Sequence, residues 1–493
     1  MNRQITRLAV AAVVLIAALI VATTYWQTWA AAGLNDRQDN AIKRVAEFTI
    51  ERGRIFTGRG RLPLAENVER EINGKTFYFR RYPQGSTFSH VVGYSTQARS
   101  RAGIERALNA YLTASNANLS TVIDRFRDEL SGATIEGNDL VLTLVPRAQR
   151  TAIRALGNRC GGVVAIEPRT GRVLVHVSSP GYDPNLIEED FAAAQRAPGA
   201  ECSPPAPLLV RATDGLYQPG STFKIVTAAA AIESGRFNLE SRFDDPGYCV
   251  EYGKRVFNYA DQGIPSGYGN VSLLQAIQNS INSVFCNLGK ELGAQAILDQ
   301  AKRFGFYARP PLDTPASERA PSGLWQDNRL YEPDDPNAVD PGRLAFGQER
   351  LLVTPMQMAM VAAAVANGGM LMEPQVLDRV LAPSGKTVAS FEPKRMGRAI
   401  SAQTAQALTE GMKAAVSGGT STAAQLPGIE VAGKTGTAET GRERVNTVSF
   451  IAFAPAADAQ IAIAVFVEGQ RSTGGATAAP IAKEVMQALL SNS

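Results

Sequence analysis

"GGVVAIEPRTGRVLVHVSS", Gly161–Ser179, is the stretch on which the fold turns. Two β-rich runs, Gly162–Ile166 and Val173–Val177, flank a Pro-Arg-Thr-Gly turn, the pattern of a β-hairpin. Two more strand-like runs stand far along the chain, "SFIAFAPA" from Ser449 and "QIAIAVFVEG" from Gln460. A helix carrying Ile481, Val485, Leu489 and Leu490 is expected to start at Pro480, a favoured first-turn residue. The chain between these groups reads as mostly helical. Strands at both ends with helices between them predict one large α+β domain whose sheet joins the ends of the segment. The Pro-rich stretch 309–341 is then a surface loop inside that domain, not a linker, because the late strands need partners.

Outward toward the N-terminus the character changes. Residues 31–150 mix charge with short strand-like pieces ("KTFYFRRY", "DLVLTLV") and a helical one ("GIERALNAYLTAS"), and hold no catalytic constellation. They read as a spacer or docking module. Before them "MNRQITR" leads into an apolar run, Leu8–Val21, extendable to Trp26, at the short end for a membrane span. Arg3 and Arg7 would hold the tail in the cytoplasm, with Trp26 and Trp29 at the far interface. The rival reading is a signal peptide cleaved at Ala30-Ala31-Ala32. The length of the run, and tryptophans ahead of that site, favour an uncleaved anchor. The expected division is an anchor at 1–30, a small module at 31–150 and the α+β domain at 151–493, with all but the tail outside the cytoplasm.

Composition removes several function classes. The net charge of the 493 residues is +4, and "ERGRIFTGRGR" holds four arginines (52, 54, 59, 61) without an aromatic platform, which argues against nucleic-acid binding. His90 and His176 are the only histidines, so His-rich metal sites and a Ser-His-Asp triad are disfavoured, and lysine becomes the leading candidate base. Cys160, Cys202, Cys249 and Cys286 show no CxxC spacing; outside the cytoplasm one or two disulfides are expected. Their connectivity stays open, with Cys160–Cys202 and Cys249–Cys286 as the working pairing.

"YQPGSTFKIVTAAAAIESG", Tyr217–Gly235, suits a fully buried helix, yet Ser221 and Lys224 share a face at its head. Burial strips solvation from a lysine's charged form, so its pKa falls and it can take a serine's proton. A cap serine and a snorkelling lysine are the bland alternative. About one or two S-x-x-K matches arise by chance in a chain this long, so the pair alone decides little. In "VSLLQAIQNSINSVFCNLG", Ser272 and Gln275 form a capping box, the helix covers Leu273–Gln278, and Ser280 and Asn282 stand at the break that follows. "VAGKTGTAET", Val431–Thr440, reads as an edge strand in which Thr435 and Thr437 share a face and Gly436 admits a ligand to the backbone. Chance supplies only about 0.1 K-T-G matches in such a chain, so the ordered set outweighs each bland alternative.

S-x-x-K at 221, S-x-N at 280 and K-T-G at 434, in that order, resemble the motif set of penicillin-binding transpeptidases and serine β-lactamases. "GGVVAIEPRTGRVLVHVSSPGYDPN", "LYQPGSTFK", "KTGTAE" and "AFGQERLLVTPMQMA" look like class B penicillin-binding proteins, most like the actinobacterial penicillin-binding protein A group. The likeness covers 155–490, and "IERGRIFTGRGRLPLAE" and "RAGIERAL" are similar to the family's N-terminal module. Two departures stand out. Glu349 replaces a common second glycine, and "VNTVSF" stands where an aromatic-containing segment usually follows K-T-G. The resemblance implies the serine β-lactamase/penicillin-binding transpeptidase fold and a D,D-transpeptidase of cell-wall synthesis, without metal or organic cofactor. Its implied ligands are peptidoglycan stem peptides, a lipid-linked precursor and β-lactams, and its implied partner is a SEDS-family membrane glycan polymerase. It further implies that Ser221 is the nucleophile, Lys224 the base and Ser280 a proton relay. Asn282 would hold the substrate amide, and Lys434, Thr435, Gly436 and Thr437 would form the carboxylate-binding strand. A β-lactamase, a D,D-carboxypeptidase and a catalytically silent scaffold share parts of this pattern. The anchor, Asn282 and the intact motif residues argue against them.

Overall fold

The computed structural model describes residues 2–25, 45–58, 61–115, 135–258, 267–439 and 445–491. The opening hairpin forms as Gly161–Ile166 and Val173–Ser179. Ile461–Gln470 pairs antiparallel with its first strand, from Ala462↔Ile166 to Val467↔Gly161. The sheet therefore does join the two ends of the segment. Its five strands run in the order Ala432–Glu439, Asn446–Ala454, Ile461–Gln470, Gly161–Ile166, Val173–Ser179, all antiparallel.

Both faces of this sheet are covered, which is why its strands read as apolar runs and not as alternating ones. Val163, Ala165, Ile463 and Val465 pack on one side with Ala152, Ala482 and Val485 of helices Pro146–Leu156 and Ala478–Leu490. Val164, Ile166, Ala464 and Phe466 face the other side, where the buried helices Lys224–Glu233 and Pro355–Ala366 belong to the larger core. The last helix begins at Ala478, two residues before the expected Pro480. Proline in the third helical position costs no bond, because the first four helical N–H groups have no partner within the helix.

The Pro-rich stretch is not a plain surface loop. Gly323–Gln326 pairs with Arg329–Tyr331 and with Leu351–Leu352, and Ser322 and Leu324 are fully buried. The region before 150 builds a six-stranded sheet, but not alone. Its order is Thr387–Ser390, Leu377–Leu381, Asp139–Leu142, Ile55–Thr57, Pro63–Ile72, Lys75–Arg81, so two strands come from far along the chain. The expected helical piece divides into Gly103–Ala107 and Asn109–Leu112. Beneath this sheet Glu105 is buried between Arg52 and Arg80, at 2.7 and 2.6 Å.

Asn2–Tyr25 is one helix, and its Arg3–Tyr25 portion is long and apolar enough to cross a membrane, with mean hydropathy 2.6. Trp26, Trp29 and Ala30–Ala32 lie outside the described residues. The cysteines form Cys160–Cys202 and Cys249–Cys286. The second disulfide ties strand Tyr248–Glu251 to helix Asn282–Leu292.

Candidate active site

Three separate pieces of chain meet at one cleft. Ser221 lies in a 3₁₀ turn, Gly220–Phe223, that runs directly into the helix Lys224–Glu233. In a 3₁₀ turn residues three apart eclipse, so Ser221 and Lys224 face the same way. The turn is held from two sides. Gly220 N–H donates to Gly347 O at 3.0 Å, and a Cβ on Gly347 would lie 2.0 Å from Gly220 O. This explains the glycine of "AFGQ": the backbone of that segment presses on the turn carrying Ser221. Two residues on, Glu349 adopts φ +64°, a conformation that suits glycine better, where the resemblance had expected glycine.

The second piece is the corner between helices Leu273–Gln278 and Asn282–Leu292. Both arms of the Ser272–Gln275 capping box are formed, at 3.2 and 2.9 Å. The chain then breaks at Ser280, whose φ of +58° is costly for a residue with a Cβ. Lys224 Nζ reaches this corner and donates to Asn282 Oδ1 at 2.7 Å and Ser280 O at 2.8 Å, with Ser280 Oγ at 3.4 Å. Asn282 is turned by its other end, where Nδ2 donates to Phe257 O at 3.0 Å.

The third piece is Ala432–Glu439, the edge strand of the five-stranded sheet. Lys434 Nζ donates to Ser280 Oγ at 2.7 Å and to Thr435 O at 3.1 Å. Thr435 and Thr437 line the cleft from one face of the strand, as alternation requires. At Gly436 a Cβ would meet Ser449 Oγ at 2.3 Å and Pro219 O at 2.6 Å, so the missing side chain leaves room for the chain that leads into the turn carrying Ser221. The unusual "VNTVSF" leaves pairing intact, with Glu439↔Asn446 through Ala432↔Phe453 in continuous register.

The cleft encloses about 400 Å³, lined by Ser221, Ser280, Asn282, Thr435 and Thr437 among others. Sequence reading missed several of the rest. Phe346 and Gln348 sit inside a segment flagged only by resemblance, while Asn258, Tyr268, Thr420, Thr473 and Gly475 carried no signal beyond turn-like composition. Thr420 Oγ1 accepts from Thr435 Oγ1 at 2.9 Å. Among the described lining residues there is no carboxylate and no imidazole. The two histidines are buried elsewhere, pushed by burial down to about 4 for His90 and about 3 for His176.

Electrostatically the site is built around two fully buried amines. Burial, and then the charge of Lys434, hold Lys224 well below the ordinary lysine range. Burial alone brings Lys434 down to about 7. Ser280 Oγ lies between them, within hydrogen-bond reach of both. A hydroxyl at the head of a buried helix, a lysine pressed toward neutrality and a hydroxyl bridge to a second lysine together can move a proton from serine to a leaving group.

Known proteins carry the same architecture. The penicillin binding protein transpeptidase domain family matches residues 161–487, and the penicillin binding protein A dimerisation domain family matches 52–140. The chain is 36% identical to the peptidoglycan D,D-transpeptidase PbpA of Mycolicibacterium smegmatis, over 99% of each chain. It is 33% identical to the PbpA of Mycobacterium tuberculosis, again over 99% of each. The structure of penicillin-binding protein A from M. tuberculosis as a ceftriaxone acyl-enzyme complex superposes with a TM-score of 0.78 at 33% identity, covering 90% of this chain and 100% of that one. Its penicillin G acyl-enzyme complex gives 0.77, also at 33% identity and the same coverage.

Proposed function

The chain belongs to the penicillin-binding protein transpeptidases, and from that premise we propose that it is a peptidoglycan D,D-transpeptidase, inhibited covalently by β-lactams. Ser221 Oγ attacks the carbonyl between the two terminal D-alanines of a donor stem peptide, and its proton passes to the neutral Nζ of Lys224. The oxyanion is received by the backbone N–H groups of Ser221 and Thr437. Collapse breaks the C–N bond, Ser280 hands its proton to the departing amine and takes one back from the Lys224 ammonium, and D-alanine departs, leaving an ester on Ser221. The amine of a second stem peptide attacks this ester and gives its proton to the now neutral Lys224, which returns it to Ser221 Oγ as the crosslink forms. Asn282 holds the donor's amide, and Lys434, Thr435 and Thr437 hold its terminal carboxylate.

The observation that carries this reading is Lys224 Nζ, fully buried at the head of the Ser221 helix and hydrogen-bonded to Ser280 and Asn282. The cleft lining favours transfer over hydrolysis. A β-lactamase must activate water against the acyl-enzyme, commonly with a carboxylate, and none lines this cleft among the described residues. We infer further that Arg3–Tyr25 anchors the protein with its cleft outside the cytoplasm. Residues 31–150 form its docking module, 151–493 its transpeptidase domain, and a SEDS-family membrane glycan polymerase is its partner. The first test is labelling of the full-length protein in detergent with a fluorescent penicillin. Stable covalent label that disappears in Ser221→Ala is expected. A label that survives in Ser221→Ala, or rapid release of hydrolysed penicillin, overturns the assignment.

A further inference from the structure

Behind the S-x-N corner lies a carboxylate that the reaction does not use. Asp245 ends the strand Arg242–Asp245 and is 3% exposed. No cation pairs with it among the described residues. Instead it accepts from Gly247 N–H at 2.7 Å, from Tyr268 N–H at 2.8 Å, and from Asn258 Nδ2 at 3.0 and 2.9 Å. Ser283 Oγ donates to it as well. Burial pushes this carboxyl up, but the bonds from Ser283, Tyr268, Gly247 and Asn258 outweigh that and hold it below the usual carboxylate range.

Three of these donors, Ser283, Asn258 and Tyr268, belong to the frame of the cleft. Ser283 is the second residue of helix Asn282–Leu292, whose N-cap, Ile281, offers no side-chain cap. Its N–H is one of the donors a helix start leaves unpaired, and Asn258 Oδ1 satisfies it at 3.1 Å. Asn258 follows Phe257, the carbonyl that turns Asn282 Nδ2 and so aims Oδ1 at Lys224. Asn258 and Tyr268 also line the cleft themselves, one on each side of 259–266. One carboxylate thus binds the helix start, the chain that orients Asn282, and two wall residues. A negative charge at a helix start is also favoured by the helix dipole.

We propose that Asp245 is a positioning residue for acyl transfer: through Ser283 and Asn258 it fixes Asn282 so that Oδ1 meets Lys224 Nζ. The proposal rests on the transpeptidase reading above. It predicts coupling, because a group that acts through Asn282 has nothing left to do once Asn282 is gone.

The test measures the second-order rate of fluorescent-penicillin labelling for full-length wild type, Asp245→Asn, Ser283→Ala, Asn282→Ala and the two double variants containing Asn282→Ala. Asp245→Asn is expected to slow labelling by about 10- to 100-fold, the range for losing hydrogen bonds to a charged group, and Ser283→Ala by less. In the Asn282→Ala background either change is expected to cost about twofold or less. Additive losses in both backgrounds, the mark of general loosening, overturn the proposal, as do single variants that label like wild type. Should Asp245→Asn fail to fold, the Ser283→Ala cycle decides by the same criteria. A wild type that takes no label overturns the transpeptidase reading itself, and this proposal with it.

Discussion

Two buried clusters in this molecule treat charge in opposite ways. In the N-terminal region Glu105, on helix Gly103–Ala107, is enclosed by Arg52 and Arg80, all three side chains at most 1% exposed. Burial pushes Glu105 up, yet the two guanidinium groups outweigh it and hold the carboxyl below its ordinary value. At the cleft, Lys224 and Lys434 are just as buried, and their bonds go to carbonyl, amide and hydroxyl oxygens, not to carboxylates. Both amines are accordingly driven toward neutrality. Paired burial fixes charge in place and makes structure; unpaired burial weakens the hold on a proton and makes a base.

The sharpest way to break the contrast is Lys224→Met. Penicillin labelling should fall on the order of 10³–10⁴-fold with loss of the proposed general base. Thermal stability should stay within a few degrees of wild type, because a buried amine without a counter-ion is replaced by an apolar chain of similar length. A large drop in melting temperature would mean that Lys224 supports structure as the arginines do.

Glu105→Gln is the matching experiment on the paired cluster. It leaves two buried guanidinium groups facing a neutral amide, a loss of about 3–5 kcal/mol for breaking a buried ion pair. Melting temperature should fall clearly, while the labelling rate of the folded protein at 25 °C stays close to wild type. Equal losses of rate and stability would show that the two clusters are not separable.

The contrast was half visible in the sequence. Lys224 stood out because an apolar helix has no ordinary use for a lysine at its head, and the capping box at Ser272 placed the corner that receives it. Strands 161–166 and 461–470 were readable because residues 161–166 and 461–467 are covered on both faces and so are apolar throughout. Glu105 gave no such sign. "GIERAL" is charged like any exposed helix, and only the ion pairs with Arg52 and Arg80, distant in sequence, mark Glu105 as an inside residue. Strand Leu377–Leu381 was missed as a member of that sheet, since its partner Asp139–Leu142 lies more than 200 residues away and leaves no local trace, and Thr387–Ser390 joins the sheet only through it. Asp245 and Thr420 were missed because the hydrogen bonds that join them to the cleft, to Ser283 and Thr435, come from other elements of the fold.

The smallest expected effect is also the most specific. If Lys434 titrates near 7 in the free enzyme, its ammonium is the form that holds a carboxylate and keeps Lys224 neutral by its field. The second-order labelling rate should then drop only about threefold between pH 6.5 and 7.5, the change in protonated fraction for a single group of that pKa. At saturating penicillin the same limb should move to higher pH, because a bound carboxylate favours the ammonium. The contribution of Lys434 to stability runs the other way. The folded-state pKa of Lys434 lies below the lysine value of 10.5, so between the two the unfolded chain binds more protons and stability rises with pH. The cost of the buried ammonium is full below about 7 and is relieved toward 10.5. The Glu105 carboxyl, held below 4.5, contributes stability that is lost only in acid and leaves the 6.5–7.5 interval flat. A labelling rate that climbs across neutrality would place the titrating proton on some other group than Lys434.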